Sequence, residues 1–113
     1  MEVINTISDG VLRIALIGEL DASGAINLDH VIKKALEDEY YRIVVDCKQL
    51  DYISSAGLGV FISYLQDITN HDGKLVFYNM KENVQNVFNL LGLQNVVTIT
   101  GDLQEAKKVI HAH

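Results

Sequence analysis

Apolar and polar positions change their spacing from one stretch of the chain to the next, and turn residues mark the changes. Residues 5–8 and 11–17 are rich in β-branched and aliphatic side chains and are separated by Asp9-Gly10, the dipeptide that best suits a two-residue hairpin. They predict two antiparallel strands. Between 22 and 39, Ala25, Leu28, Ile32, Ala35 and Leu36 recur at helical spacing, with Lys33, Lys34, Glu37 and Asp38 off that stripe. Residues 42–47 form a short β-branched run, the pattern of a central strand covered on both faces. Leu58, Phe61, Ile62, Leu65 and Ile68 then predict the core stripe of a second helix that ends near His71-Asp72-Gly73. Residues 74–78 read as a strand. Val84, Val87, Phe88 and Leu91 predict a third helix stopping at Gly92, with Leu93 over its end. A short strand over 96–99 and a last helix opened by the capping-box spacing of Asp102 and Glu105 complete the order ββαβαβαβα. The expectation is one α/β domain spanning residues 1–113, with a mixed, mostly parallel central sheet flanked by helices.

Composition narrows the function more than the fold. At 113 residues, 49% hydrophobic and 21% charged, the chain has room for one core and is not of disordered composition. Fifteen acidic residues against nine basic ones give a net charge of −6, and no Lys/Arg cluster occurs. That argues against nucleic acid or an anionic membrane as the main partner and favours a soluble monomer. The single cysteine, Cys47, excludes an intramolecular disulfide, and its apolar surroundings point to packing in a reduced, cytoplasmic setting. No signal peptide pattern opens the chain, and no apolar run approaches the roughly 20 residues that span a bilayer. His30, His71, His111 and His113 have neither triad nor metal-ligand spacing, so a non-enzymatic protein without metal or cofactor is expected. Gly57 and Gly59 lack the Gly-Lys-Ser/Thr ending of a phosphate loop and lend nucleotide binding little support.

The chemistry concentrates in residues 51–60. Ser54 is placed to cap the second helix, which makes Ser55 its first helical residue, with the hydroxyl pointing outward. A phosphate on Ser55 would bring about −1.5 to −2 charges to the positive end of a helix dipole. Gly57 and Gly59 each cost roughly 1 kcal/mol in a helix relative to alanine. Two compensations are open: a partner approaching closely, or the helix packing tightly on its own sheet. Asp21 is placed to cap the first helix. Asp46 and Asp51 flank the approach to Ser54. Ala56, Val60 and Tyr64 repeat at i, i+4, i+8 away from the core stripe, a partly exposed strip that a partner could bind.

Three segments carry a family resemblance: Leu16-Ile-Gly-Glu-Leu-Asp21, residues 43–46 followed by Leu50, and Tyr52-Ile-Ser-Ser-Ala-Gly-Leu-Gly59. Together with Phe88-x-x-x-Gly-Leu93, they resemble the STAS domain of bacterial anti-sigma factor antagonists over nearly the whole chain. The resemblance implies a module that binds an anti-sigma factor serine kinase while unphosphorylated and releases it once phosphorylated, with a metal-dependent serine phosphatase restoring binding. It places the phosphoacceptor at Ser55 rather than Ser54, and puts Asp21 near the phosphorylated loop. Many members of the family carry aspartate where this chain has Ser54, and a hydroxyl residue where it has Ala56. The partner surface so implied comprises Asp21, Ser54, Ala56, Gly57, Gly59, Val60 and Tyr64. The alternative is a non-catalytic STAS subunit of a larger assembly, such as a lipid-transporting ABC complex or a stressosome-like scaffold.

Overall fold

Asp9 (φ 53°) and Gly10 (φ 75°) both adopt the left-handed backbone that a type I′ hairpin turn requires. They fold β1 (Glu2–Ser8) antiparallel onto β2 (Val11–Leu20), with Ser8 opposite Val11. The structure, a computed structural model, describes residues 1–112. Beyond the hairpin follow α1 (Ala22–Glu37), β3 (Arg42–Ile53), α2 (Ser55–Asn70), β4 (Lys74–Tyr78) and α3 (Glu82–Leu90). A single 3-10 turn at Leu93–Asn95, β5 (Thr98–Ile99) and α4 (Leu103–Ile110) complete the chain. The sheet order is β1-β2-β3-β4-β5, with β2 to β5 all parallel. This is the ββαβαβαβα mixed sheet that the sequence pattern predicts.

Alternation along the strands gives the sheet two unequal apolar faces. Leu12, Ile14, Leu16, Ile43, Val45, Cys47, Leu75 and Phe77 lie in one cluster with Leu28 and Ile32 of α1, Phe61 and Ile68 of α2, and Val84 and Phe88 of α3. Phe77 meets Phe61 and Phe88 edge-on, with ring centroids 5.0 and 5.2 Å apart. The other face buries only Val11, Val44, Val76 and Tyr78 beneath Ala106 and Ile110 of α4. Beside them Arg13 donates to the Tyr78 hydroxyl (2.8 Å) and to Asp46 (2.6 Å), tying β2 to β4 and β3.

Five places depart from the sequence reading. β3 runs on to Ile53 rather than ending at Cys47, because its pairing with β2 shifts twice, between Ala15 and Ile17 and between Gly18 and Glu19. Its inward residues are therefore Ile43, Val45, Cys47, Leu50 and Ile53, and the alternation that marks a strand is lost after Cys47. Gly18 lies between the two shifts with φ 98°, a conformation that side chains of L-residues rarely adopt. Ile62 and Leu91, expected in the core, are exposed. The last strand is only Thr98–Ile99. In the α4 cap, Asp102 accepts from the Glu105 amide as expected, but the Glu105 carboxylate reaches back to Gly101 rather than to Asp102.

Candidate functional site

Parallel pairing brings the carboxyl ends of β2 and β3 together, Leu20 beside Ile53. The next residue on each strand starts a helix, so two 16-residue helices open side by side on one edge of the sheet. Ser54 is extended (φ −85°, ψ 166°), and its amide donates to the Leu20 carbonyl (2.9 Å). Its hydroxyl accepts from the Gly57 amide (3.1 Å) and its carbonyl from the Leu58 amide (3.0 Å). The helical cap is thus complete and Ser54 is half-buried. Ser55, the first residue of α2, is exposed, and its hydroxyl has no hydrogen-bond partner among the described residues.

Asp21 caps α1, its Oδ1 accepting from the Gly24 amide and from the Ser23 hydroxyl, both at 2.9 Å. The Gly24 bond first, then the Ser23 bond, hold its carboxyl below the ordinary aspartate value. One of the two adjacent helix starts therefore carries a carboxylate. The other has no acidic residue in its first turn, and only the Ser54 hydroxyl neutralises its amides.

The two glycines of α2 separate cleanly. Gly57 is buried, and a Cβ there would lie 2.6 Å from Cγ and 2.7 Å from Cδ2 of Leu20. The close approach at Gly57 is thus to the chain's own sheet, which corrects its place in a partner surface. At Gly59 a Cβ would meet nothing within 4 Å, and the residue faces outward.

The strip of Ala56, Val60 and Tyr64 is likewise divided. Ala56 is exposed beside Ser55, whereas Val60 and Tyr64 are half-buried against the core. The Tyr64 hydroxyl donates to Asp29 of α1 (2.8 Å), closing the seam between the two helices. The face of α2 that continues outward from Ser55 consists of Gly59, Ile62, Ser63 and Gln66. Ile62 is 45% exposed and Tyr52, three residues before Ser55, is 51% exposed. Both were missed as surface groups: Ile62 fits the apolar stripe by spacing, and Tyr52 lies where the strand alternation is broken.

Asp46 and Asp51 each pair with a basic residue and neither bonds a serine hydroxyl among the described residues. Asp46 lies on the α4 side of the sheet, held by Arg13 and by the Lys48 amide (3.0 Å). Asp51 pairs with Lys81, and its carbonyl accepts from Asn83 (2.9 Å). Cys47 is fully buried, and burial pushes its thiol up to about 12, which fits packing and not reactivity. Among the described residues no group of three His, Cys, Asp or Glu side chains could hold a metal ion. His113 lies outside the described residues. No helix among them is long and apolar enough to cross a membrane.

Comparison with known proteins agrees with this fold. The model of the STAS domain family matches residues 2–106. A protein of Bordetella bronchiseptica, BtrV, described as a candidate anti-sigma factor antagonist, is 30% identical over 98 residues, 87% of this chain and 84% of its own. The crystal structure of a candidate anti-sigma factor antagonist from Thermotoga maritima superposes with a TM-score of 0.90 at 24% identity, covering 97% of this chain and 95% of that one. The phosphorylated form of the Bacillus cell fate determinant SpoIIAA superposes with a TM-score of 0.76 at 18% identity, covering 96% and 99%.

Proposed function

Because the chain belongs to the STAS domain family, we propose that it is an anti-sigma factor antagonist whose hold on its partner is set by phosphate on Ser55. The partner is an anti-sigma factor serine kinase that binds the unphosphorylated surface, transfers a phosphoryl group to Ser55 and then releases. The Ser55 oxygen attacks the terminal phosphorus of ATP, its proton passes to a base of the kinase, and ADP leaves. A serine phosphatase hydrolyses the phosphoserine and restores binding.

One observation carries this reading: of the two adjacent serines, Ser54 is engaged as a cap while the Ser55 hydroxyl is exposed and unbonded. A phosphate on Ser55 would meet the positive end of a helix that has no acidic residue in its first turn, so the fold would tolerate it. A partner resting on Asp21, Ser54, Ala56 and Gly59 would instead meet a new dianion at a contact built for a neutral hydroxyl. The switch thus works at the interface and leaves the domain folded. The solved SpoIIAA, whose fold the chain shares, is itself described in a phosphorylated form.

Ser55→Ala is expected to resist phosphorylation and to bind the partner kinase like the unmodified protein. Ser55→Asp is expected to bind at least tenfold more weakly, about 1.4 kcal/mol. Mass spectrometry of protein recovered from cells locates the phosphate, and calorimetry compares the two variants. Equal binding by both, with no phosphate on Ser54 or Ser55, would overturn the proposal.

A further inference from the structure

The sheet has one long open edge. β5 is two residues long, whereas β1 offers seven residues of which six are exposed, Ile4 by 43% and Ile7 by 51%. Exposed edges are ordinarily blunted by a bulge, a proline or a lysine. β1 contains no proline and no basic residue, and its register with β2 runs unbroken from Glu2 to Ser8. Residues flanking a two-residue hairpin turn form a hydrogen-bonded pair, so Ser8, Thr6, Ile4 and Glu2 are the residues tied to β2. Val3, Asn5 and Ile7 then direct their N–H and C=O groups outward. None of those groups takes part in a loop, turn or cap hydrogen bond among the described residues.

We infer that this edge pairs with β1 of a second copy of the chain, antiparallel, about a two-fold axis through Asn5. Such an axis passes through the middle of the strand, so all seven residues find a partner. Val3 faces the partner's Ile7 and Asn5 faces the partner's Asn5. On the other face of the sheet Ile4 meets the partner's Thr6. The outward groups of Val3, Asn5 and Ile7 all fall on hydrogen-bonded pairs, with Val3 against Ile7 apolar to apolar, Ile4 against Thr6 β-branched to β-branched, and Asn5 amide to amide at the axis. Charge agrees as well. The chain carries a net −6, but β1 contributes a single charge, Glu2, which lies opposite the partner's Ser8 and not opposite another acid.

The contact is a strip about 24 Å long, at seven residues and about 3.4 Å each. That places it among small interfaces, so association is concentration-dependent and not obligate. Ser55 follows β3, which β2 separates from this edge, so both copies keep it free, at strand ends that point in opposite directions in a ten-stranded sheet. The inference stands apart from the phosphorylation switch, because it uses neither α2 nor any residue of the partner surface.

Sedimentation of the full chain from micromolar to millimolar concentration tests it. The unmodified protein is expected to pass from monomer to dimer, and Ile7→Lys, a change at a half-exposed side chain, to raise the dissociation constant at least tenfold with an unchanged circular dichroism spectrum. Oxidation is expected to cross-link Asn5→Cys to itself, since hydrogen-bonded pairs stand about 5.5 Å apart at Cα, within disulfide range. Thr6→Cys, opposite the partner's Ile4, is expected to stay uncrosslinked. A monomer at every concentration, a dimer indifferent to Ile7→Lys, or equal cross-linking of the two cysteine variants would each overturn the inference.

Discussion

A methyl group added two residues apart on α2 meets opposite fates. At Gly57 it collides with Leu20, whose Cγ lies in the core and cannot swing aside, so Gly57→Ala is expected to cost about 1–3 kcal/mol despite the better helix propensity of alanine. At Gly59 it enters open space, and Gly59→Ala is expected to stabilise by about 0.5–1 kcal/mol. Urea unfolding of both variants decides the matter, and shifts of the same sign would contradict this account. The two glycines look alike in the sequence because what separates them is Leu20, on another strand. The serine pair, in contrast, was legible beforehand. An N-cap depends on local geometry alone, so the assignment of Ser54 as cap and Ser55 as first helical residue needed no knowledge of the fold.

Helices α1 and α2 meet along a seam that the Tyr64 hydroxyl closes on Asp29. Burial, and then this hydrogen bond, push the Tyr64 phenol up to about 12 from an ordinary value of 10.0. A phenol with a raised folded value contributes fully below the unfolded pKa, and the contribution is lost as pH climbs through the folded one. Tyr64→Phe is therefore expected to lower stability at neutral pH by about 0.5–1.5 kcal/mol. Its deficit against the parent protein should shrink or invert between about pH 10 and 12, and a deficit that stays constant in urea titrations would argue against the seam. Spacing along one helix separates a core stripe from its opposite side but does not locate a neighbouring helix, which is why the bond from Tyr64 to Asp29 was not foreseen and Ile62 read as core. β3 failed differently. Its first half reads as an apolar run covered on both faces, and the register shifts leave no regular period in the half that leads to Ser54.

The whole molecule is an asymmetric sandwich in which three helices cover one face of the sheet and α4 covers part of the other. β3 is paired on both sides and buried on both faces over its first half, β1 is open along one side, and β5 is only two residues long. Native-state hydrogen exchange is accordingly expected to be slowest in β2, β3 and β4, and fastest in β5 and the outer groups of β1. Uniform protection across the five strands would contradict that ordering. Element order and the mixed, mostly parallel sheet were legible because strands and helices alternate along the chain after a hairpin. The division of helices between the faces was not, since the apolar stripe of α4 fits either side. The shifted pairing of β2 with β3 has one more consequence. Each shift gives β3 one residue more than β2 spends over the same span, and each is absorbed as a bulge that keeps the next buried residue, Leu50 and then Ile53, facing the core. The height and orientation of Ser55 on the sheet edge are thus a matter of counting. Losing the extra residue at either shift would straighten that bulge and leave Ile53 opposite Leu20, whereas losing one residue with both bulges kept would slip Ile53 by one and turn it, and the serines, away from the core. In this stretch length is tied to the two bulges, and a chain that varies freely in its side chains there cannot vary freely in its number of residues.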